Sequence, residues 1–514
     1  MKINEMIGLF DSLDENNHNP FEEAFRHRYT ERFDYAEYLP AYKSVFEYAE
    51  GRFGMTPSVT LLTMLPAMAT ALGMNSYISY GVFKTKANSF VINIQPSGKG
   101  KTQFSKWLFT DNIYKRDMEL TQAFVDELDR LEEIVPGDNS EFKTVRDKDV
   151  AVKKWERRRQ QLTLTQVTPA ALYQCAGQSA VMMNFDELTM FRNVFFPNEP
   201  GRKDDNSFIL TQLYSEHVLK KSLIGESGRD VLNSSLSLYA HGTTSGVLSM
   251  MNPAYLENGT LWRFWFALQE NESSVLYSTS GVTSRRNTLN HSVEKPSAFN
   301  SAFNQVFESM YNNAADYVFS YSQPALELRD KVEAIFRTME AIYGDEKQSL
   351  KRTIVNKLFA TMDKVALLIH SLNNYELFKP GMNQTSLSTN LLDPSKIDAD
   401  TVEAAFAVTR MIFSNWLDMV AIKNEDHTVE MIDGIRKKST DSTKKTRPMA
   451  DYNSIVEQLG GPGSYDIEKW EDAVKDFDYQ SSNNRISRKR MNEMLSKNPN
   501  LISMNGKKII LKYA

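Results

Sequence analysis

The sequence predicts an α/β protein: a mainly parallel sheet covered by helices, flanked by helical regions and followed by a small basic module. Three observations predict it. Between residues 86 and 285 short β-rich runs alternate with helical patterns, the signature of parallel strands joined by covering helices. Residues 326–430 carry long amphipathic patterns such as TIVNKLFATMDKVALLIHSL. From residue 449 onward helical patterns end in LISMNGKKIILKYA, two short apolar runs around an Asn-Gly turn signal.

The elements follow in order. Residues 1–85 read as helical, with an acidic, aromatic start followed by an uncharged segment. The strand candidates are 90–94 (FVINI), 162–167 (LTLTQV), 180–185 (AVMMNF), 236–242 (LSLYAHG) and 262–268 (WRFWFAL). Between the first two lies a charged insert, about 113–161. It places Phe124, Leu128, Leu131 and Val135 at helical spacing, breaks at Pro136-Gly137 and resumes through KKWERRRQQ, which reads as a helical hairpin. Its basic stretch, 153–161, reads as a solvated face, with nucleic-acid contact as the sharper alternative. Residues 286–325 are polar and weakly patterned, at the start of a helical region running to 433. Residues 434–448, with RKKSTDSTKKTRP, form a basic, Ser/Thr-rich linker without an apolar anchor.

Composition narrows the classes. A chain of 514 residues holds two to four domains with sizeable cores. Cys175 is the only cysteine, which excludes a disulfide framework and a cysteine-based zinc site and suits a reducing, cytoplasmic setting. The N-terminus has no basic region leading into an apolar one, so no secretory signal is expected. Residues 55–83 carry no charge, yet Pro57, Pro66, Gly73 and many Thr/Ser residues make them a poor lipid-facing helix. They read as buried helices beneath the sheet, and no membrane partner is expected.

The chemistry centres on FVINIQPSGKGKTQF, 90–104. A bare Gly-Lys-Thr is weak evidence, but here it follows an apolar, β-branched run and precedes the helix-compatible QFSKWLF. That strand–loop–helix order aims successive backbone N–H groups at a helix N-terminus, a cradle for phosphates. Ser97, Gly98, Lys99 and Gly100 form the loop, Lys101 reaches the β- and γ-phosphates of ATP, and Thr102 offers a hydroxyl to Mg²⁺. Gln95 occupies the place where the usual pattern has its first glycine; it is expected to be tolerated if its backbone stays extended.

Downstream, SAVMMNFDEL (179–188) is an apolar run ending in two carboxylates, 85 residues beyond Lys101. Asp186 is expected to hold Mg²⁺, directly or through water, and Glu187 to polarise the attacking water. The next strand ends in AHGTTSG, where His241, Thr243 or Thr244 is a candidate γ-phosphate sensor, Thr243 foremost; a strand-end residue with a structural role is the alternative. Arg263, read as lying in an apolar strand, needs an anionic partner. A neighbouring subunit's nucleotide would make it an arginine finger, and an internal salt bridge would make it structural.

In this order SGKGKT, TPAALYQCAGQSAVMMNFDEL, LSLYAHGTTSG and NGTLWRFWF resemble a family of P-loop ATPases found in phage and mobile-element replication modules, often described as primase–helicase-like or replicative-helicase-like. The resemblance covers roughly residues 40–420. It implies a P-loop NTPase core with a RecA/AAA+-like parallel sheet, ATP and Mg²⁺ as cofactors, single-stranded or duplex DNA as partner, and a ring-shaped homo-oligomer such as a hexamer in the cytoplasm of a bacterial host. The chain departs from the family twice. The first glycine is replaced by Gln95, and the downstream Arg-Leu-Ala reads Lys364-Val365-Ala366, which removes support for a basic sensor there. No primase module is expected in the residues before 85, so priming activity is not implied.

Residues 449–514 read as a winged helix. From Arg436 to Ala514 there are 16 Lys/Arg against 10 Asp/Glu, net +6, which leaves the rest of the chain at −11. Arg488, Lys489 and Arg490 would start the recognition helix, and Lys507 and Lys508 would lie on the wing, all suited to phosphate contacts. A protein-binding winged helix is the alternative. Together these features point to an ATP-dependent DNA helicase or translocase; an ATP-switched replication initiator without processive unwinding is the second reading. A small-molecule kinase leaves the C-terminal unit unexplained, and a packaging motor would need a nuclease carboxylate cluster that is not seen after the core.

Overall fold

The computed structural model describes residues 2–11, 33–96, 100–156, 160–196, 206–215, 233–252, 255–256, 259–269, 295–311, 313, 315–343, 349–379, 393–425, 459–466, 469, 502–505 and 508–511. They fall into two compact units, Met1–Gly434 and Ile435–Ala514. The sequence divisions at 85 and 285 both lie inside the first unit.

Nine strands of that unit are β1 (Ser76–Tyr80), β2 (Phe83–Thr85), β3 (Phe90–Ile94), β4 (Thr163–Leu164), β5 (Val181–Phe185), β6 (Leu236–Gly242), β7 (Phe264–Leu268), β8 (Tyr317–Tyr321) and β9 (Lys396–Ile397). The central sheet is all parallel, in the order β4-β5-β6-β3-β7. β3, β5 and β6 are buried along their whole length, as near-continuous apolar runs in a doubly covered parallel sheet must be. β4 is shorter than its sequence run because it lies at an edge and pairs with β5 alone. β7 starts two residues later than the expected 262, because Leu261–Arg263 close a 3₁₀ turn ahead of it.

The uncharged segment supplies the helix Pro57–Ala71. Thr56 caps it by accepting from Val59 N at 3.4 Å, and Pro57 opens it where a missing N–H is harmless. Its residues are nearly all buried, and it packs on β3, β5, β6 and β7. Among the described residues no helix is long and apolar enough to cross a membrane. The opposite face of the sheet receives Phe191 and Tyr214 from the helices Leu188–Phe195 and Ser207–Tyr214, whose rings meet Phe264 and Phe90. The open edge of β7 is covered by the helix Ala399–Glu425. Trp416 Nε1 donates to Phe264 O at 2.8 Å and Asn415 Nδ2 to Phe266 O at 2.7 Å, which satisfies two edge carbonyls.

A second sheet, in the order β2-β1-β8-β9, corrects the reading of residues 1–85 as wholly helical and of 286–325 as weakly patterned. β1 and β2 form a hairpin, and β8 runs parallel to β1 across more than 200 residues of chain. The helix Ala298–Met310 precedes β8 and packs on Pro57–Ala71. A buried ion pair fastens this sheet to its helices: Arg329 Nη2 lies 3.2 Å from Asp363 Oδ2, and Tyr321 donates to Asp363 Oδ1 at 2.7 Å.

The charged insert is a helical hairpin. Its first helix continues from Lys101–Phe109 through a π turn, Thr110–Tyr114, into Lys115–Glu133, and its second spans Val145–Glu156. Phe124 and Trp155 stack at 5.9 Å between them, whereas Val135 lies beyond the helix end and is exposed.

In the second unit, β10 (Gly463–Asp466), β11 (Ile502–Asn505) and β12 (Lys508–Leu511) form an antiparallel sheet in the order β10-β12-β11. Asn505, expected to open the turn, pairs with Lys508 as the last residue of β11, and Gly506 and Lys507 lie outside the described residues. Arg488, Lys489, Arg490 and Lys507 lie outside the described residues, and Lys508 begins β12.

Candidate functional site

The strand register brings the predicted residues to one end of the central sheet. Ile94 pairs with Gly242, and Phe185 pairs with Ala240. The C-terminal ends of β3, β6 and β5 therefore stand side by side, with Asp186 level with His241. In open parallel sheets this end, where successive connections leave toward opposite sides, is where ligands settle.

Gly100 precedes the helix Lys101–Phe109 with φ +79°, a left-handed conformation that glycine adopts without penalty. Among the described residues no side chain caps that helix start, which leaves its first N–H groups to a ligand. Lys101 Nζ donates to the carbonyls of Gln95 (3.0 Å) and Gly242 (3.2 Å), at the ends of β3 and β6. Burial holds its ammonium below the usual lysine pKa. Thr102 is half-buried one residue on, and its carbonyl accepts from Ser105 Oγ at 3.2 Å. Ser97, Gly98 and Lys99 lie outside the described residues.

Asp186 and Glu187 are exposed at the end of β5, between the strand and the helix Leu188–Phe195. Among the described residues no group of three or more metal-ligating side chains occurs. The donor set nevertheless fits a Mg²⁺ ion that arrives with nucleotide, since phosphate and water oxygens supply most of its octahedron and protein adds one or two. A helix start without a side-chain cap among the described residues, the left-handed Gly100 and a lysine that donates to two backbone carbonyls likewise fit a phosphate chain.

Thr243 caps the helix Thr244–Met250, accepting from Gly246 N at 3.2 Å, and its hydroxyl also lies 3.2 Å from Ser245 Oγ, so a sensor role would need its proton turned away from Ser245. His241 is buried, and its Nε2 lies 3.0 Å from Ser105 Oγ. Because Ser105 spends its proton on Thr102 O, His241 must donate from Nε2, which leaves Nδ1 as an acceptor without a partner among the described residues. Arg263 is half-buried in the 3₁₀ turn before β7 rather than within the strand. Phe264 pairs with Phe90, so Arg263 stands at the opposite end of the sheet from Lys101 and Asp186. It donates to Gly259 O at 2.6 Å and to Ser215 Oγ at 3.2 Å, and its Nε has no partner among the described residues. Lys364 is buried, donates to Lys86 O at 3.0 Å and lies over the Tyr214 ring, far from a sensor's task.

Sequence reasoning passed over the polar residues beneath this end. Asn93 Nδ2 donates to Tyr239 OH at 3.2 Å, Gln95 Nε2 donates to Asn93 Oδ1 at 2.8 Å, and Asn184 donates to Tyr114 OH. Polar residues inside the runs FVINI and AVMMNF were the signal, since a core strand admits an amide only with partners. No family model matches the chain, and no curated protein matches it.

Proposed function

We propose that this chain is an ATP-dependent DNA helicase or translocase that acts in phage or mobile-element DNA replication, hydrolysing ATP at the subunit interfaces of a ring. The observation that carries the reading is the shared strand end. Lys101 bridges the carbonyls that close β3 and β6, and Asp186 and Glu187 close β5 one strand further on. Bound Mg²⁺ would neutralise charge on the phosphates, with Thr102 and Asp186 as the chain's donors. Lys101 would leave its two carbonyls for the phosphates, Glu187 would orient the attacking water, and the hydroxyl proton of Thr243 is within the same strand-end row. Arg263, facing away from its own site, would serve a neighbouring subunit as a finger only after exchanging Gly259 and Ser215 for phosphate.

The second unit supports a DNA role. In β10-β12-β11 the first strand pairs with the last, as in the sheet of a winged helix, and the net charge of this part of the chain is +6 by sequence.

The test measures ATP hydrolysis and strand separation with and without single-stranded DNA, with Lys101→Ala as control. Stimulated hydrolysis together with unwinding is the expected result. DNA binding with slow, unstimulated hydrolysis refutes the helicase in favour of an initiator switch, and hydrolysis unchanged in Lys101→Ala refutes the nucleotide site itself.

A further inference from the structure

The helix Lys101–Phe109 is tied to the end of the central sheet by two polar side chains. Lys101 Nζ donates to the carbonyls of Gln95 and Gly242, and Ser105 Oγ accepts from His241 Nε2 at 3.0 Å. Among the described residues no other side chain of this helix hydrogen-bonds to the sheet. Lys101 and Ser105 are four residues apart, one above the other on a single face of the helix. Two of their partners, Gly242 and His241, are consecutive at the end of β6. Ser105 in turn donates to Thr102 O at 3.2 Å. The attachment to β6 is thus passed on to the first turn, whose N–H groups the nucleotide reading assigns to phosphate.

Packing alone gives no reason for this polar pair. Ser105 and His241 are both buried, and β6 is buried along its whole length. His241 Nδ1 is a buried acceptor without a partner among the described residues, a cost that a leucine at 241 would not carry. Apolar contacts do hold the far half of the helix. Trp107 stacks on Tyr48 at 5.0 Å, and Phe109 meets Tyr239 edge-on at 5.4 Å. Such contacts are non-directional, so the aim of the helix start is left to its hydrogen bonds.

The two attachments differ in what a nucleotide does to them. Under the nucleotide reading Lys101 leaves its carbonyls for the phosphates, whereas the bond between Ser105 and His241 is buried and stays. We propose that His241 is a positioning residue for the phosphate-binding helix: through Ser105 it holds the first turn against β6 while Lys101 is turned to the phosphates. The inference rests on the nucleotide reading and adds to it the residue that aims the helix start. It also replaces the sensor role considered for His241, because the donor of its neutral ring is spent on Ser105.

The test is equilibrium binding of a fluorescent ATP analogue to the full chain in EDTA, with urea unfolding of each variant alongside. His241→Leu is expected to weaken binding roughly fivefold, the scale of one neutral hydrogen bond. Ser105→Ala is expected to weaken it to the same extent. His241→Gln, whose amide nitrogen donates in the place of Nε2, is expected to bind as wild type does. The variant carrying both His241→Leu and Ser105→Ala separates positioning from stability. It leaves neither partner of the lost bond buried and unpaired, so it is expected to be more stable than Ser105→Ala, yet to bind as weakly as either single variant. Asp363→Ala, in the second sheet, controls for destabilisation alone and is expected to bind as wild type does. Three results overturn the inference and leave the nucleotide site standing: unchanged binding in His241→Leu or in the double variant, His241→Gln as weak as His241→Leu, or an equal loss in Asp363→Ala. If His241→Leu does not fold, Ser105→Ala against His241→Gln decides by the same criteria. A wild-type chain whose binding of the analogue does not depend on Lys101 refutes the nucleotide reading itself, and this inference falls with it.

Discussion

Acidification from pH 7 to pH 5 is expected to remove about 2 kcal/mol of stability from the larger unit through His241 alone. The side chain is only 2% exposed, and burial, helped by the nearby Lys101 ammonium, pushes its imidazole down to about 3. An unfolded histidine titrates near 6.5. Between those values the unfolded chain binds a proton that the folded chain refuses, so stability is complete above about 6.5 and falls as the pH drops, by about 1.4 kcal/mol per unit. Two units of acidification, the first half-unit of which lies above 6.5, give about 2 kcal/mol. His370 is also pushed down by burial and contributes with the same sign, so the absolute slope does not isolate His241. The comparison that does is wild type against His241→Gln, whose amide nitrogen stands where Nε2 donates to Ser105. Urea unfolding followed by tryptophan fluorescence at both pH values gives the difference. Losses that agree within about 0.5 kcal/mol in the two proteins would refute the claim that His241 is held neutral by burial.

Two further perturbations test the packing of the second sheet and the helices beside it. Asp363→Ala removes the carboxylate from Arg329, which is 5% exposed, and should cost about 3 kcal/mol in urea unfolding, the low end for a broken buried pair because Glu333 still accepts from Arg329 Nη1 at 2.7 Å; a loss under about 1 kcal/mol contradicts this. Gly73→Ala combines a φ of +74° with a Cβ 2.9 Å from the Met310 carbonyl oxygen, a backbone atom that cannot yield, and should cost at least about 2 kcal/mol; a thermal midpoint equal to wild type counts against it.

What the sequence disclosed follows the range of the interactions involved. β3 and β6 coincide with FVINI and LSLYAHG because a strand buried on both faces is an apolar run set off by its flanks, a local property. The same logic made the place of Lys101 after β3 and of Asp186 and Glu187 after β5 legible, since the position of a motif at a strand end needs no knowledge of distant chain. The second sheet was not legible for the opposite reason. β2 and β9 have three and two residues, and β8 is a strand by virtue of pairing with β1, more than 200 residues earlier. The π turn at Thr110–Tyr114 leaves no composition signal, because its cause is the docking of Asn112 on Asn300 and of Tyr114 on Asn184. Arg263 was misplaced by two residues of secondary structure, and with them by its setting: a turn at the strand's start gives it Gly259 and Ser215 as partners.

Gln95, in the place of the usual first glycine, is held on both sides of its peptide. Its side chain is 1% exposed, with Nε2 donating to Asn93 Oδ1 at 2.8 Å and lying 3.0 Å from Met55 Sδ, while its N–H donates to Gly242 O and its carbonyl accepts from Lys101. A glycine would leave Asn93 Oδ1 buried without a donor, at about 1–3 kcal/mol, and would free the backbone on which Lys101 rests. Gln95→Gly should therefore lower stability by about 1–3 kcal/mol and, under the nucleotide reading, weaken binding of the fluorescent ATP analogue several-fold in EDTA, where Asp186 takes no part. The two effects have one cause, so they must appear together. A variant that is destabilised yet binds as tightly as wild type would show that Gln95 is merely tolerated at the start of the loop, and that the lysine is positioned by β6 through Gly242 alone.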